Sequence, residues 1–242
     1  MNLRKVAPGF GLMACSLLVA CSFSWTVKAQ TKPWDLDTVL HQMDASSATF
    51  KSAQADVKKD LYERVVKDTT TQTGTVYYQR AGGGIQFGAK FAPPGAKIVE
   101  VKDGMVRMFE PNANHLTQLS MKNNQAKYES FLTMGFGSSG SDLAKHWTIT
   151  YQATEQLNDG KKMVPTAKLD MVPKDDDTKK VFTHVTLWVD PVLDVSLKQQ
   201  FFQPSGDIQT ATYTNIRYND LKKSDMDAYV IKTDKKTTVD NH

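Results

Sequence analysis

Apolar side chains recur at every second position over most of this chain, the spacing that puts alternate residues on one face of a β-strand. The clearest run spans 181–218. Val181, Val185, Leu187 and Val189 precede Asp190-Pro191, and Leu193, Val195, Leu197 and Phe201 precede Pro204-Ser205-Gly206-Asp207. A third run, Ile208 to Tyr218, is rich in Thr and Tyr. The pattern predicts three consecutive strands joined by tight turns. Such a sheet presents one continuous apolar face, and something must cover it.

The same period organises the middle of the chain. Ala53, Ala55, Val57, Leu61 and Val65 alternate with Gln54, Asp56, Lys58, Asp60 and Arg64, predicting a long half-buried strand. A polar turn over 67–73 leads into Val76-Tyr77-Tyr78, and Gly82-Gly83-Gly84 leads into Ile85, Phe87, Ala89 and Phe91. After Pro93-Pro94-Gly95, strands over 97–101 and 105–109 flank Asp103-Gly104, a strong hairpin signal, and 116–121 adds another strand. Strand pattern resumes with Trp147, Ile149, Tyr151 and Ala153, turns at Asn158-Asp159-Gly160, and continues through Ala167, Leu169 and Met171. Pro165 in that segment points to an edge or a bulge. Residues 173–180 read as a loop.

Helical period occurs in two places. Leu36, Val39, Leu40 and Met43 fall at i, i+3, i+4 and i+7 behind Asp35, a good N-cap. Between 125 and 147, Tyr128, Phe131 and Leu132 have helical spacing, Gly135, Gly137 and Gly140 break it, and Ser141 can cap a short turn through Lys145. The expected fold is mainly β with short helices: about ten or eleven antiparallel strands in one domain over 30–242.

The first residues differ in kind. Arg4 and Lys5 precede an apolar run from Gly11 to Ala20, far shorter than the roughly 20 residues of a membrane span, so residues 1–29 read as an export signal. Val27-Lys28-Ala29 suits cleavage before Gln30. Leu18-Val19-Ala20-Cys21 suits a lipoprotein signal over 1–20, which would leave Cys21 lipidated. Both readings stand, and either places the protein in the periplasm, in the second case anchored to the outer membrane.

Cysteine and charge narrow the class further. The only cysteines are Cys15 and Cys21, so the domain that follows has no disulfide although its compartment would permit one. Arg4, Lys5 and Lys28 are three of the thirty Lys and Arg, and residues 1–29 hold no Asp or Glu. The remainder therefore carries 27 basic against 26 acidic side chains, too balanced for a nucleic-acid footprint.

Catalytic chemistry finds no purchase. Gly135-Phe136-Gly137-Ser138-Ser139-Gly140 spells a dinucleotide fingerprint but lacks the preceding strand and βαβ context, so it reads as a loop joining two apolar pieces. His41, His115, His146, His184 and His242 have no metal-ligand spacing, and His184 reads as a structural histidine on the strand face of Phe182 and Trp188. Asp175-Asp176-Asp177, beside Lys179-Lys180, reads as a solvated loop. No nucleophile, base and orienter assemble, and no cofactor or metal is expected. The pattern points to binding rather than to an enzyme.

The order of elements resembles the periplasmic outer-membrane lipoprotein carrier family (LolA-like). The residues that carry the resemblance are 50–56 (FKSAQAD), 74–80 (GTVYYQR), 98–104, Met108-Phe109-Glu110-Pro111 and Leu187-Trp188-Val189-Asp190-Pro191. The resemblance implies an incomplete, half-open β-barrel whose short helices form a lid over an apolar cavity for lipoprotein acyl chains. It implies a monomeric chaperone that carries acylated lipoproteins from an inner-membrane lipoprotein-releasing transporter to an outer-membrane receptor. An outer-membrane-anchored acceptor of the same fold and a periplasmic lipoprotein-sensing regulator are the alternatives. In that family an arginine at a strand end latches the lid, and Arg80 stands at the matching place, although Ala81-Gly82-Gly83-Gly84 replaces the proline that usually follows. Leu36, Leu40, Met43, Phe131, Leu132, Met134 and Phe136 are candidates for the lid's inner face, and Val57, Leu61, Phe87, Phe91, Val195 and Leu197 for the cavity wall.

Overall fold

The computed structural model describes residues 34–81, 84–121 and 134–242. Residues 1–33, which include Cys21 and the expected export signal, Gly82 and Gly83, and residues 122–133, which include the lid candidates Phe131 and Leu132, lie outside the described residues.

Helix α1 (Leu36–Thr49) opens the described chain, with the Asp35 side chain accepting a hydrogen bond from the Thr38 amide at 2.8 Å. A first meander follows: β1 (Ser52–Glu63), β2 (Asp68–Ala81), β3 (Gly84–Phe91), β4 (Lys97–Lys102), β5 (Met105–Glu110) and β6 (His115–Ser120). Helix α2 (Gly140–His146) leads into a second meander of β7 (Trp147–Asn158), β8 (Met163–Pro173), β9 (His184–Asp190), β10 (Val195–Phe202) and β11 (Ile208–Tyr218), with helix α3 (Asp176–Val181) between β8 and β9. The chain closes through α4 (Lys223–Met226), a 3-10 turn (Asp227–Tyr229) and β12 (Thr238–Asn241).

Among the described residues twelve strands form one sheet, ordered β12-β6-β5-β4-β3-β2-β1-β11-β10-β9-β8-β7. Neighbours are antiparallel except β12, which runs parallel to β6. The two meanders meet where β1 pairs with β11, Val57 opposite Tyr213 and Lys59 opposite Ala211. Since β7 and β12 are edges that do not pair with each other, the sheet is an incomplete antiparallel barrel. Asp103 and Gly104 both take positive φ, 53° and 71°, which the two-residue β4–β5 turn requires.

One face of the sheet carries both hydrophobic clusters and is called the inner face below. Val39 and Met43 of α1, Leu143 of α2 and Met134 cover Leu169, Met171, Val185, Leu187, Val189 and Phe201, with Leu36 and Leu40 packed at the margin. Ala53, Ala55, Val57, Val76, Tyr78, Ala89 and Tyr213 form the second cluster around Phe50 and Phe136. The outer face is covered in part by the C-terminal segment, where Tyr229 meets Tyr77 edge-on at 4.8 Å.

Local helical energetics overrides the strand pattern in one place. The 173–180 segment is not a plain loop, and the strand after it starts at His184 rather than Val181. Asp175 caps α3 by accepting from the Thr178 amide, and Asp176 and Asp177 pair with Lys179 and Lys180 one turn later. Val181 ends that helix and is exposed, while Phe182 turns inward against Phe201. His184 stacks on Phe202 at 4.0 Å and does not share a face with Phe182. Leu193 lies in the β9–β10 turn, not in a strand. The N-cap of α2 is Ser139, whose hydroxyl accepts from Asp142 N, rather than Ser141. β12 has no counterpart in the sequence expectations, because its four residues are exposed and carry no apolar alternation.

Candidate functional site

The site is the inner face of the sheet together with what lies on it. Helix α1 reaches β1 through Phe50, whose ring is buried in the second cluster and whose amide donates to Ser46 O and Ser47 O at the helix end. Segment 134–138 then crosses the inner face. Phe136 is fully buried, stacked on Tyr78 at 4.0 Å with rings 6° apart, and it meets Tyr213 edge-on at 4.9 Å. The backbone of this segment bonds to the start of β10: Gly137 N to Asp194 O, and Ser196 N to Gly135 O. The glycine loop is therefore a packed segment rather than a free joint.

Arg80 joins the wall to these covering pieces. It is the penultimate residue of β2, and its guanidinium donates to Ser47 O at 3.3 Å and Phe50 O at 3.2 Å on the α1 side, and to Gly137 O at 2.8 Å on the loop. Its amide donates to Lys51 O. Three carbonyls from two different covering segments thus share one cation. Although Arg80 is exposed as a residue, each of these contacts is partly buried.

Polar groups that the sequence expectations did not single out complete the closure. Gln199 is buried and donates through Nε2 to Met134 O at 2.7 Å, while its Oε1 accepts from the Tyr213 hydroxyl at 3.0 Å. Burial pushes the Tyr213 hydroxyl up to about 12, so it remains a neutral donor. Asn219 accepts from the amides of Lys51 and Ser52 and donates to Thr49 O, fastening the α1–β1 corner. Ser46 donates to Pro191 O and Val192 O, and Asp44 accepts from the Ser141 amide, which ties α1 to the β9–β10 turn and to α2. The usable signal for Gln199 is a polar residue in step with Val195, Leu197 and Phe201 in an apolar alternation. Asn219 sits just past a strand end at a φ of 53° and had no such signal.

Asp194 is the anomaly of the closure. It is fully buried at a φ of 53°, and neither carboxyl oxygen has a hydrogen-bond partner among the described residues. Burial raises its pKa well above the ordinary carboxylate value; the Arg80 charge opposes the shift and Asp44 adds to it. Because the folded state disfavours the charged form, stability is lost as pH rises through that raised value and the penalty vanishes below the ordinary carboxylate range. Asp194→Asn keeps a residue that tolerates positive φ and removes the charge. It is expected to raise Tm at pH 7, about 2–4 °C for each kcal/mol recovered, with the gain shrinking toward pH 4. Thermal melts across that range check it, and a gain that grows on acidification would contradict the assignment.

The predicted site residues fall as follows. Met43, Met134 and Phe136 are buried on the inner face, and Leu36 and Leu40 pack at its margin. Val57 and Val195 belong to the second cluster, with Phe87 and Phe91 half-buried against it. Leu61 shares the face of Val57 but is only half-buried near the end of β1. Leu197 is buried as the extra residue of the β10 bulge between Ser196 and Lys198 and joins neither cluster. Beside Phe91 a cavity of 420 Å³ opens, lined also by Gly74 and Lys97 and by Thr75, Lys90 and Ile98 of the outer-face row, a volume within the roughly 300–1,000 Å³ of ligand pockets. Among the described residues, no group of three or more His, Cys, Asp and Glu is placed to hold a metal, and no helix is long and apolar enough to cross a membrane.

No family model and no curated protein sequence matches the chain. Among solved structures it is similar to an uncharacterized conserved protein from Thermus thermophilus (12% identity, 85% of this chain and 98% of that one, TM-score 0.49). It is also similar to the lipoprotein LppX of Mycobacterium tuberculosis (13%, 77% and 98%, TM-score 0.44). A LolA superfamily protein from Nitrosomonas europaea matches at 13% identity over 82% of this chain and 98% of that one, with a TM-score of 0.37. At these identities the likeness is one of fold and extends no further.

Proposed function

We propose that this protein is a periplasmic chaperone that binds the acyl chains of lipoproteins on the inner face of its open barrel and carries them from the inner to the outer membrane. The observation that carries the reading is the Arg80 contact set, which joins the wall to both covering segments through three carbonyl oxygens. Burying an acyl chain gains about 0.8 kcal/mol per CH₂, so a carrier must set a comparable cost of opening against it or its cargo would never leave. A cover made of short pieces supplies that cost. Phe136 and Met134 occupy the inner face in the closed form, and an incoming chain takes their place. The reading is of a monomer that receives acylated lipoproteins from an inner-membrane lipoprotein-releasing transporter and yields them to an outer-membrane receptor offering a better apolar site.

Arg80→Leu tests the reading. Losing the three contacts is expected to destabilise closure by about 1–2 kcal/mol, a factor of roughly 5–30 in the open population. In an assay with a fluorescently labelled lipoprotein, the variant should capture cargo more readily or release it to acceptor membranes more slowly. Unchanged capture and unchanged transfer would remove Arg80 from the latch role.

A further inference from the structure

The inner face is not uniformly apolar. Lys59 projects from β1 on the same side as Val57 and Leu61, opposite Ala211 of β11 and Gln72 of β2, and is half-buried there. Among the described residues its ammonium has no hydrogen bond and no ion pair. Along the neighbouring inner-face row, Val57 stands opposite Gly74, Gly74 opposite Phe91, and Phe91 opposite Lys97. Lys97 is matched by Glu110 at 3.1 Å, so the local excess of positive charge rests on Lys59. The other charged groups of that part of β1 stay apart from it: Lys58 pairs with Asp60 at 2.8 Å, and Asp60 also accepts from Thr71. Burial and the nearby Lys97 charge lower the Lys59 pKa, which marks an ammonium held without its counter-charge. A cavity opens at the same end of β2–β4, lined by Gly74, Phe91 and Lys97 and also by Thr75, Lys90 and Ile98 of the outer-face row; Lys59 is not part of its lining.

We propose that Lys59, backed by Lys97, forms an anion subsite at the mouth of the acyl-binding face, and that the protein takes amphiphiles with one negatively charged headgroup, their chains lying along Val57, Phe87 and Phe91. An unpaired cation on an apolar wall costs free energy, and a ligand bringing both a chain and an anion removes that cost at one step. The acylated glyceryl group of a lipoprotein bears no charge beside its chains and leaves the ammonium unmatched. The subsite therefore extends the cargo to free anionic lipids. It rests on the acyl-cavity reading above.

The test uses the exported chain from Gln30 onward, stripped of bound lipid, with four fluorescence titrations at pH 7: a pyrene-labelled fatty acid, its methyl ester, a pyrene-labelled lysophosphatidate and inorganic phosphate as a headgroup alone. The acid or the lysophosphatidate is expected to bind at least about five-fold tighter than the ester, the tighter of the two identifying carboxylate or phosphate as the natural headgroup. Lys59→Met should abolish that preference and leave ester affinity unchanged, while Lys59→Arg should retain it. Equal affinity for charged and neutral probes, unmoved by Lys59→Met, would overturn the subsite and leave the acyl cavity standing. Binding of phosphate as tight as lysophosphatidate would overturn the lipid headgroup as ligand. No binding of any pyrene probe would overturn the cavity and the subsite together.

Discussion

Phe136→Ala is expected to lower stability by about 3–5 kcal/mol, the usual cost of deleting a buried phenyl ring, while leaving the sheet assembled. The ring is fully buried between Tyr78 and Tyr213, so its removal deletes a stacked and an edge-on contact at once. Among the described residues the segment that carries it is otherwise held by Gly137 N to Asp194 O, Ser196 N to Gly135 O, Gln199 to Met134 O, the Arg80 guanidinium to Gly137 O, and the buried Met134 side chain. The strands beneath are paired independently of it, β1 with β2 from Ser52 to Glu63 and with β11 from Ala53 to Tyr62. The expected signature is therefore a fall in Tm with far-UV strand signal preserved, together with stronger binding of an apolar dye on the uncovered inner face. If Tm falls and dye binding does not rise, Phe136 is ordinary core and not part of a removable cover. A Tm within about 2 °C of the unsubstituted protein would instead mean that the loop is not seated on the wall at all.

That distinction between wall and cover also explains what the sequence could and could not reveal. Strand alternation is a local signal, one residue in and one out, so β1, β3 and β9 were legible from Val57, Phe87 and Leu187 without any knowledge of their partners. The aspartate-glycine turn and the N-cap at Asp35 are local for the same reason. The cover is not local. Phe136 looks like a loop residue between glycines, and only its stacking on Tyr78, 58 residues earlier in the chain, seats it on the wall. Arg80 was marked by resemblance alone, since its partners at positions 47, 50 and 137 come from two other segments. Asp194 was hidden because an acid in a turn normally faces water, and here the crossing segment seals it. Lys59 is hidden differently: it sits in step with Val57 and Leu61, and one charge in an apolar register reads as an interruption until its cross-strand neighbours Gln72 and Ala211 place it on the inner face.

Gly137→Ala is expected to act as strongly as a core deletion despite adding a single carbon. The residue holds a φ of 75°, which costs an L-residue roughly 1–2 kcal/mol. A Cβ there would also fall against the Phe50 ring, 2.7 Å from its Cγ, and Phe50 is itself packed into the second cluster and cannot withdraw. Overpacking of this kind costs about 1–3 kcal/mol, so the two effects together reach about 2–5 kcal/mol. Relief comes most easily by lifting the 134–138 segment off the wall, since the alternative moves Phe50 and with it the α1–β1 corner. Lifting the segment takes Gly137 O away from the Arg80 guanidinium and Gly137 N away from Asp194 O. The variant should therefore behave as an Arg80→Leu protein that has also lost its plug, with a lowered Tm and faster hydrogen exchange over 134–138. Combining it with Arg80→Leu should cost less than the sum of the two, because both act on the same contact. Full additivity in that double-mutant cycle would mean that the loop and the arginine hold the cover by separate means, and the single-latch description of the closed state would fail.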